Sequence, residues 1–167
     1  MKYRLALLTA VEAARRREEL IALCAQAFGG SPWREPPLGA VRTVDRLLDS
    51  AARKDGFCAA AAYADDGTDD ADAALLGFAA GWTDTALSGD APTFELAELV
   101  VAPNCQGQGI GRSLHDGLLV VGSPGPALLM TLDVPELTDR YVRWGWTVVD
   151  RRRPGEEQRD HVVMRHA

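Results

Sequence analysis

The chain has 167 residues, of which 47% are hydrophobic and 25% charged, which is the composition of an ordinary globular protein. Its net charge of −6 at pH 7 leaves no broad basic surface, so we expect no nucleic-acid partner. No apolar stretch approaches the roughly 18 residues of a membrane-spanning helix, and we expect neither a membrane partner nor a signal peptide. The composition therefore favours a cytoplasmic protein, and the length favours one domain over residues 1–167.

The N-terminal third predicts one strand followed by two helices. Loose alternation of polarity from Tyr3 to Leu8 is typical of a strand. Thr9 and Glu12 have the spacing of a capping box, which predicts a helix that runs to Phe28 and ends at two glycines. Apolar residues at helical spacing predict a second helix between Val41 and Ala51. A proline-rich segment joins the two.

The middle of the chain predicts three strands. The segments Phe57 to Ala64 and Ala73 to Trp82 are typical of an antiparallel hairpin. The residues between them, Asp65 to Asp72, are mostly acidic, and we interpret them as the solvated tip of the hairpin. The third strand runs from Phe94 to Val101.

The C-terminal third predicts two more helices and three strands. These are a helix from Gln108 to about Val121, a strand from Leu128 to Val134, a short helix from Pro135 to Trp144, and strands from Trp146 to Asp150 and from His161 to Arg165. The complete order is βααβββαβαββ. It predicts an α/β domain (α+β in some classifications) with a mixed, mostly antiparallel sheet of six to seven strands and about four helices on its faces.

The most informative segment is a glycine run between a predicted strand and a predicted helix. Gly107, Gly109 and Gly111 occupy every second position, which leaves backbone N–H groups uncovered at the positive end of the helix dipole. Such a loop suits an oxygen-rich anion. Arg112 stands where a dinucleotide-binding fingerprint needs its third glycine, and no Walker loop occurs, so a phosphate-binding loop of another kind remains.

Two motifs resemble those of a known family. The first is Leu99-x-Val101-x-Pro103-x-x-Gln106-x-x-Gly109-x-Gly111, which resembles the acyl-CoA motif of the GNAT superfamily of N-acetyltransferases. The second is Tyr141-Val142-Arg143-Trp144-Gly145-Trp146, which is similar to the family's Tyr-x-x-x-Gly-Phe. The element order agrees as well, so the resemblance covers nearly the whole chain and implies a single GNAT-like domain.

The resemblance implies an enzyme that transfers an acetyl group from acetyl-CoA, its cosubstrate, to a primary amine of a small molecule, peptide or protein by direct attack. No metal is implied. The glycine run would hold the pyrophosphate, and the preceding strand would pair with the pantetheine arm. The residues implied in donor binding are Leu99, Val100, Val101, Gln106, Gly107, Gln108, Gly109, Ile110, Gly111 and Arg112.

Direct attack needs a neutral amine, and at pH 7 only about one lysine-like amine in 2500 is neutral. Glu95 is the first candidate for the base, because it matches a glutamate of the family's histone-modifying branch. Glu98 is the second and Asp133 the third. Glu95 and Glu98 face opposite sides of a regular strand, and only a bulge would bring both inward. Tyr141 matches the family tyrosine that protonates the departing thiolate.

The acceptor half carries no readable motif. We expect its pocket to be lined by the segment Ser31 to Leu38, the loop Trp82 to Pro92, and Trp146. The alternative function is an acyl-CoA-binding module of the same fold without transferase activity. The sequence leaves a homodimer open.

The histidines and cysteines predict no metal site. The three cysteines are far apart in sequence, and His161 and His166 lie on opposite sides of one strand. His115 is expected at the surface of its helix. Arg151 to Arg153 are interpreted as a solvated loop.

Overall fold

The computed structural model describes residues 2–65, 73–155 and 159–167. The strands are β1 (Tyr3–Leu8), β2 (Asp55–Ala64), β3 (Leu75–Asp84), β4 (Thr93–Val101), β5 (Ala127–Leu132), β6 (Trp146–Arg152) and β7 (His161–His166). The helices are α1 (Ala10–Arg15), α2 (Arg17–Gly29), α3 (Pro37–Arg53), α4 (Ile110–Gly122) and α5 (Pro135–Arg143), with a 3-10 turn at Pro103–Cys105.

The seven strands form one mixed sheet in the order β1-β2-β3-β4-β5-β7-β6. β4 and β5 run parallel, and the other neighbouring strands run antiparallel. The predicted fold class is therefore confirmed. The predicted acidic hairpin tip lies, apart from Asp65, outside the described residues.

The predicted first helix is two helices. Its start is as expected, because the Thr9 hydroxyl accepts the Glu12 N–H and the Glu12 carboxylate accepts the Thr9 N–H, at 3.2 and 2.7 Å. The helix breaks at Arg16, which has φ −99° and ψ 20° and donates its N–H to the Ala13 carbonyl. No glycine or proline marks this break, so the sequence gives no local signal for it.

The centre of the sheet is built from small residues. Ala59 to Ala62 of β2 and Phe78 to Ala80 of β3 are at most 2% exposed. Alanine side chains let helices approach the sheet closely on both faces, with α2 packing on β3 and β4, and α4 packing on β2, β3 and β4. Among the described residues, no helix is long and apolar enough to cross a membrane.

The sheet is divided between β4 and β5. These strands pair only at Phe94–Ala127 and Glu95–Leu128, although β4 continues to Val101 and β5 to Leu132. Beyond these pairs the strands separate. We call the space between residues 96–101 and residues 129–132 the strand gap; it divides the sheet into a first half (β1–β4) and a second half (β5–β7).

Candidate active site

The predicted phosphate-binding loop, residues 106–111, joins the 3-10 turn to α4. Gly107 and Gly109 have φ values of +75° and +85°, which side-chain-bearing residues adopt only at a cost. Gly109 is the N-cap of α4, so the unpaired N–H groups of the first turn point out of the helix end. Among the described residues, no heavy atom lies within 4 Å of a Cβ built at Gly107. The loop therefore has the backbone form and the open side that an anion requires.

Gly111 lies in the first helical turn of α4 and not in the loop before the helix. A Cβ built there would lie 3.5 Å from Val101 and 3.7 Å from Trp144, which is ordinary van der Waals contact. Packing alone therefore does not require glycine, although glycine within a helix costs about 1 kcal/mol relative to alanine.

The remaining predicted loop residues have separate positions. Ile110 is 1% exposed and fixes the end of the loop in the core. The Gln108 amide donates to the Asn104 carbonyl at 3.5 Å. The side chain of Arg112 pairs with Asp116 at 2.7 Å, so the backbone N–H is what Arg112 offers to the loop.

The edge of β4 next to the strand gap carries unpaired backbone groups. Ala102 donates its N–H to β3, and backbone groups of successive strand residues point to opposite edges. Leu99 and Val101 therefore direct their N–H and C=O groups into the gap, whereas those of Val100 face β3. The Gln106 amide donates to the Val101 carbonyl at 3.1 Å. Both groups of Leu99 and the N–H of Val101 remain at the gap.

A bulge brings the two candidate glutamates to one face of β4. Ala80 pairs with Glu98 and Trp82 pairs with Glu95, while Ala97 has no partner in the β3 register. Because Ala80 and Trp82 are two residues apart, their partners lie on the same face. The expectation of opposite faces, which holds for a regular strand, is wrong here because of the extra residue at Ala97.

Glu95 is engaged in holding a loop. It is 6% exposed, and its carboxylate accepts the Leu87 N–H at 2.7 Å. Burial raises the pKa of Glu95, and the bond from Leu87 opposes that rise. Arg152 of β6 donates to the carbonyls of Ala86 and Leu87 at 3.0 and 2.8 Å. Glu95 and Arg152 together fix the predicted acceptor loop between β3 and β4.

Glu98 lies on β4 after the last β4–β5 pair, beside the strand gap. Its side chain is 11% exposed and pairs with Arg46 of α3 at 3.1 Å. Burial raises the pKa of Glu98 to about 7 against the opposing charge of Arg46, and the charge of Glu35 adds to the rise. A carboxyl group with this pKa is well suited to accept a proton at neutral pH.

Tyr141 of α5 is 9% exposed and packs edge-on against Trp144 and Trp146, with ring centroids 5.6 and 6.1 Å apart. Burial raises the pKa of Tyr141 to about 12, with Arg140 opposing and Glu98 adding to the rise. The hydroxyl therefore keeps its proton at neutral pH.

The sequence suggested that His115 lies at the surface of its helix. The structure instead buries its side chain, which is 1% exposed. Trp146 donates its indole N–H to His115 Nε2 at 2.8 Å. Because the indole only donates, the imidazole proton is on Nδ1 and is donated to Asp116 at 2.7 Å. Burial lowers the pKa of His115, which keeps the ring neutral. His115 adjoins the buried stripe of Ile110, Leu114 and Leu118. This helical spacing is the sequence pattern that could have predicted its burial.

Trp146 does not line an acceptor pocket. It is 1% exposed and fills the interior between α4 and β6, so the expectation that it forms a pocket wall is wrong. The Asp133 carboxylate, the third base candidate, pairs with Arg151 at 3.3 Å. Arg152 and Arg153 also pair with aspartates.

The predicted acceptor segment borders a cavity. Its volume is about 300 Å³, and it is lined by Pro32, Trp33, Arg34, Glu35 and Arg159. Arg159 reaches it from the segment before β7 and donates to the Trp33 carbonyl at 2.9 Å. Within residues 2–65, 73–155 and 159–167, no group of three or more histidine, cysteine or acidic side chains could hold a metal ion.

The family model described as acetyltransferase (GNAT) matches residues 20–122, which is more than half of the chain. The chain therefore belongs to the GNAT acetyltransferase family, and the predicted family and enzyme class are confirmed. A comparison with curated protein sequences gives no match.

Solved structures share the fold over nearly the full length. PH1933 from Pyrococcus horikoshii is 18% identical, with a TM-score of 0.70, covering 99% of this chain and 98% of that one. The PaiA N-acetyltransferase from Thermoplasma acidophilum, solved with coenzyme A, is 17% identical with a TM-score of 0.66 and 99% coverage of both chains. NAA60 from Arabidopsis thaliana, solved with a bisubstrate analogue, is 12% identical with a TM-score of 0.67, covering 99% and 98%. At these identities the likeness shows the fold.

Proposed function

We propose that this chain transfers an acetyl group from acetyl-CoA to a primary amine of a small molecule or peptide. The observation that carries the proposal is the strand gap. It opens beside the glycine loop, with Glu98 on β4 at one side and, at the other, β5, against which the helix of Tyr141 packs. Donor, base and acid would thus meet in one place.

The donor half fits acetyl-CoA by its backbone. The open loop with left-handed Gly107 and Gly109 suits a pyrophosphate. The free groups of Leu99 and Val101 suit the amides of a pantetheine arm, as the edge of a sheet suits a further strand. When bound, acetyl-CoA supplies the acetyl thioester that an amine can attack.

Glu98 handles the proton of the acceptor. Neutralising a lysine-like amine at pH 7 costs roughly 4.6 kcal/mol, and a positioned base contributes typically about 10²- to 10⁴-fold. Glu98, with a pKa of about 7 and a place beside the gap, is better suited than Glu95, whose carboxylate holds Leu87. As the C–N bond forms, the amine proton passes to the Glu98 carboxylate.

Tyr141 completes the transfer. As the C–S bond breaks, its phenol proton passes to the departing thiolate. Its buried ring is fixed by Trp144 and Trp146, so the hydroxyl keeps one orientation. Positioning of groups in this way is itself a large part of catalysis when no acyl-enzyme forms.

A thiol-release screen of the full chain with acetyl-CoA tests the proposal. The acceptor panel contains alkylamines, amino acids, polyamines, aminoglycosides and peptides, and products are identified by mass. We expect acetylated amine and free thiol in equal amounts for at least one class. Binding of acetyl-CoA without thiol release for any of them would instead favour the binding-module alternative.

A further inference from the structure

Arg34 occupies an unusual backbone position in the cavity wall. Its φ is +50°, in the left-handed region that glycine adopts freely and arginine does not. The conformation is fixed on both sides, because Arg34 donates its N–H to Gly30 at 2.7 Å and Glu35 donates its N–H to Phe28 at 2.8 Å. An arginine kept where glycine would be easier points to a role for its side chain.

Arg34 and its neighbour in the cavity, Arg159, differ in their charge partners among the described residues. Arg159 lies 3.8 Å from Glu35 and also donates to the Trp33 carbonyl. Within the part of the chain that the structure describes, the Arg34 guanidinium forms no ion pair. The cavity wall therefore offers one positive group to a ligand.

The cavity segment leads directly into α3, whose Arg46 pairs with Glu98 beside the strand gap. Glu35 lines the cavity, and its charge adds to the rise in the pKa of Glu98. A molecule between Arg34 and Glu98 would thus meet a positive group at the cavity and carboxylates further in. A ligand with the opposite order of charges fits this arrangement.

We propose that the acceptor is an amine that also carries a carboxylate, an amino-acid-like molecule. Its carboxylate binds the Arg34 guanidinium, whose paired N–H groups match a carboxylate, while its amine is presented to Glu98. The inference rests on the proposed function, because it identifies the acceptor of that same site.

The first test compares ω-amino acids of two to six carbons with alkylamines of the same length, by thiol release from acetyl-CoA. The series is needed because the spacing of the two charges is what the site selects. We expect at least one length at which kcat/KM for the amino acid exceeds that for the alkylamine about tenfold. Equal rates at every length would overturn the inference and leave the proposed function intact.

Two variants connect the preference to Arg34. Arg34→Gln should reduce it to less than about threefold, whereas Arg42→Gln, an exposed arginine on α3 that loses the same charge, should leave it unchanged. Arg34→Gly should also lose the preference but raise the Tm by about 2–4 °C, because the left-handed strain is relieved. An unchanged preference in Arg34→Gln would contradict the inference.

Binding separates the inference from the proposed function. If no amine releases thiol, the proposed function fails, and thermal melts with coenzyme A and the same ω-amino acids decide the inference. A rise in Tm in the natural chain that is absent in Arg34→Gln supports the carboxylate site. No rise with any ω-amino acid overturns it.

Discussion

The two halves of the sheet contribute to the site in different ways. The first half provides the glycine loop, the backbone edge at Leu99 and Val101, and Glu98. The second half provides Tyr141 and long side chains that reach across. The family model spans residues 20–122, from within α2 to the end of α4, so it includes β2 to β4 and no strand of the second half. Under the proposed function, donor recognition would reside in consecutive backbone, whereas catalysis and acceptor recognition would depend on side chains brought together by folding.

Among the described residues, three side chains of the second half donate hydrogen bonds to the first half. They are Trp146, which donates to His115 at 2.8 Å; Arg152, which donates to the carbonyls of residues 86 and 87; and Arg159, which donates to the carbonyl of Trp33. These bridges supplement the two strand pairs between β4 and β5. Variants in each half should therefore have different signatures.

The largest effect is expected in the first half, for Gly111→Glu. A carboxylate in the loop juxtaposes like charges with the pyrophosphate, which costs several kcal/mol, so affinity for acetyl-CoA should fall at least about 100-fold. Calorimetric titration measures this. Gly117→Glu adds the same charge on α4, where a Cβ meets open space among the described residues, and should keep near-natural affinity. Equal affinities for the two variants would refute the assigned loop.

The next effect is expected for Glu98→Gln, again in the first half. With a pKa of about 7, Glu98 becomes a competent base as the pH rises through 7, so kcat should rise with pH across that range. Glu98→Gln should lower kcat about 100-fold and flatten this profile. Glu95→Gln is the matched control, because its amide oxygen can still accept the Leu87 N–H. A flattened profile in Glu95→Gln alone would reassign the base to Glu95.

A smaller effect is expected in the second half, for Tyr141→Phe. The ring contacts with Trp144 and Trp146 remain, and only the proton donor is lost. We expect kcat to fall about tenfold, less than the roughly 10²- to 10⁴-fold typical of general acid catalysis because a thiolate can depart without its proton, with affinity for acetyl-CoA unchanged. Steady-state kinetics and titration measure the two quantities separately. A loss of affinity with unchanged kcat would assign Tyr141 to binding.

The smallest effect is expected at the bridge between the halves, for His115→Leu. The Trp146 indole N–H loses its acceptor, which should cost about 1–3 kcal/mol of unfolding free energy. His115→Leu with Trp146→Phe removes both partners and should recover part of that loss. If the loss of unfolding free energy in the double variant equals the sum of the losses in the two single variants, the hydrogen bond has no coupling energy.

His115 also gives stability a direction with pH. Its pKa is lowered by burial in the folded chain, so the unfolded chain binds the proton more readily. The unfolding free energy of the natural chain should therefore fall as the pH drops from about 6.5 through the lowered pKa. Urea titrations at several pH values should show this component reduced in His115→Leu.

Local patterns predicted most of the sheet, the helix start at Thr9 and the glycine loop. Each of these depends on residues close in sequence: a capping box, alternation, or glycines between a strand and a helix. The loop conformation agrees with this, since Gly107 and Gly109 are left-handed. Backbone sites can be recognised in this way because spacing alone defines them.

The rest depends on contacts between distant segments. The bulge at Ala97 and the break at Arg16 occur without glycine or proline. The choice between Glu95 and Glu98 depends on Leu87, which comes from another loop and takes up the Glu95 carboxylate. The burial of His115 depends on Trp146, 31 residues later. The spacing of residues along the sequence does not indicate such distant partners.

Because of the strand gap, the two halves of the sheet are joined over only a short stretch of backbone pairing. Two residue pairs between β4 and β5 form this junction, and the backbone of Leu99 and Val101 lies open beside it. A donor bound there would bridge the two halves and reduce their movement relative to each other. Amide hydrogen exchange should then slow at Leu99 and Val101 with acetyl-CoA, while Val100, already bonded to β3, stays as it was. Occupancy of the site would thus be observed as local stiffening where the two halves meet.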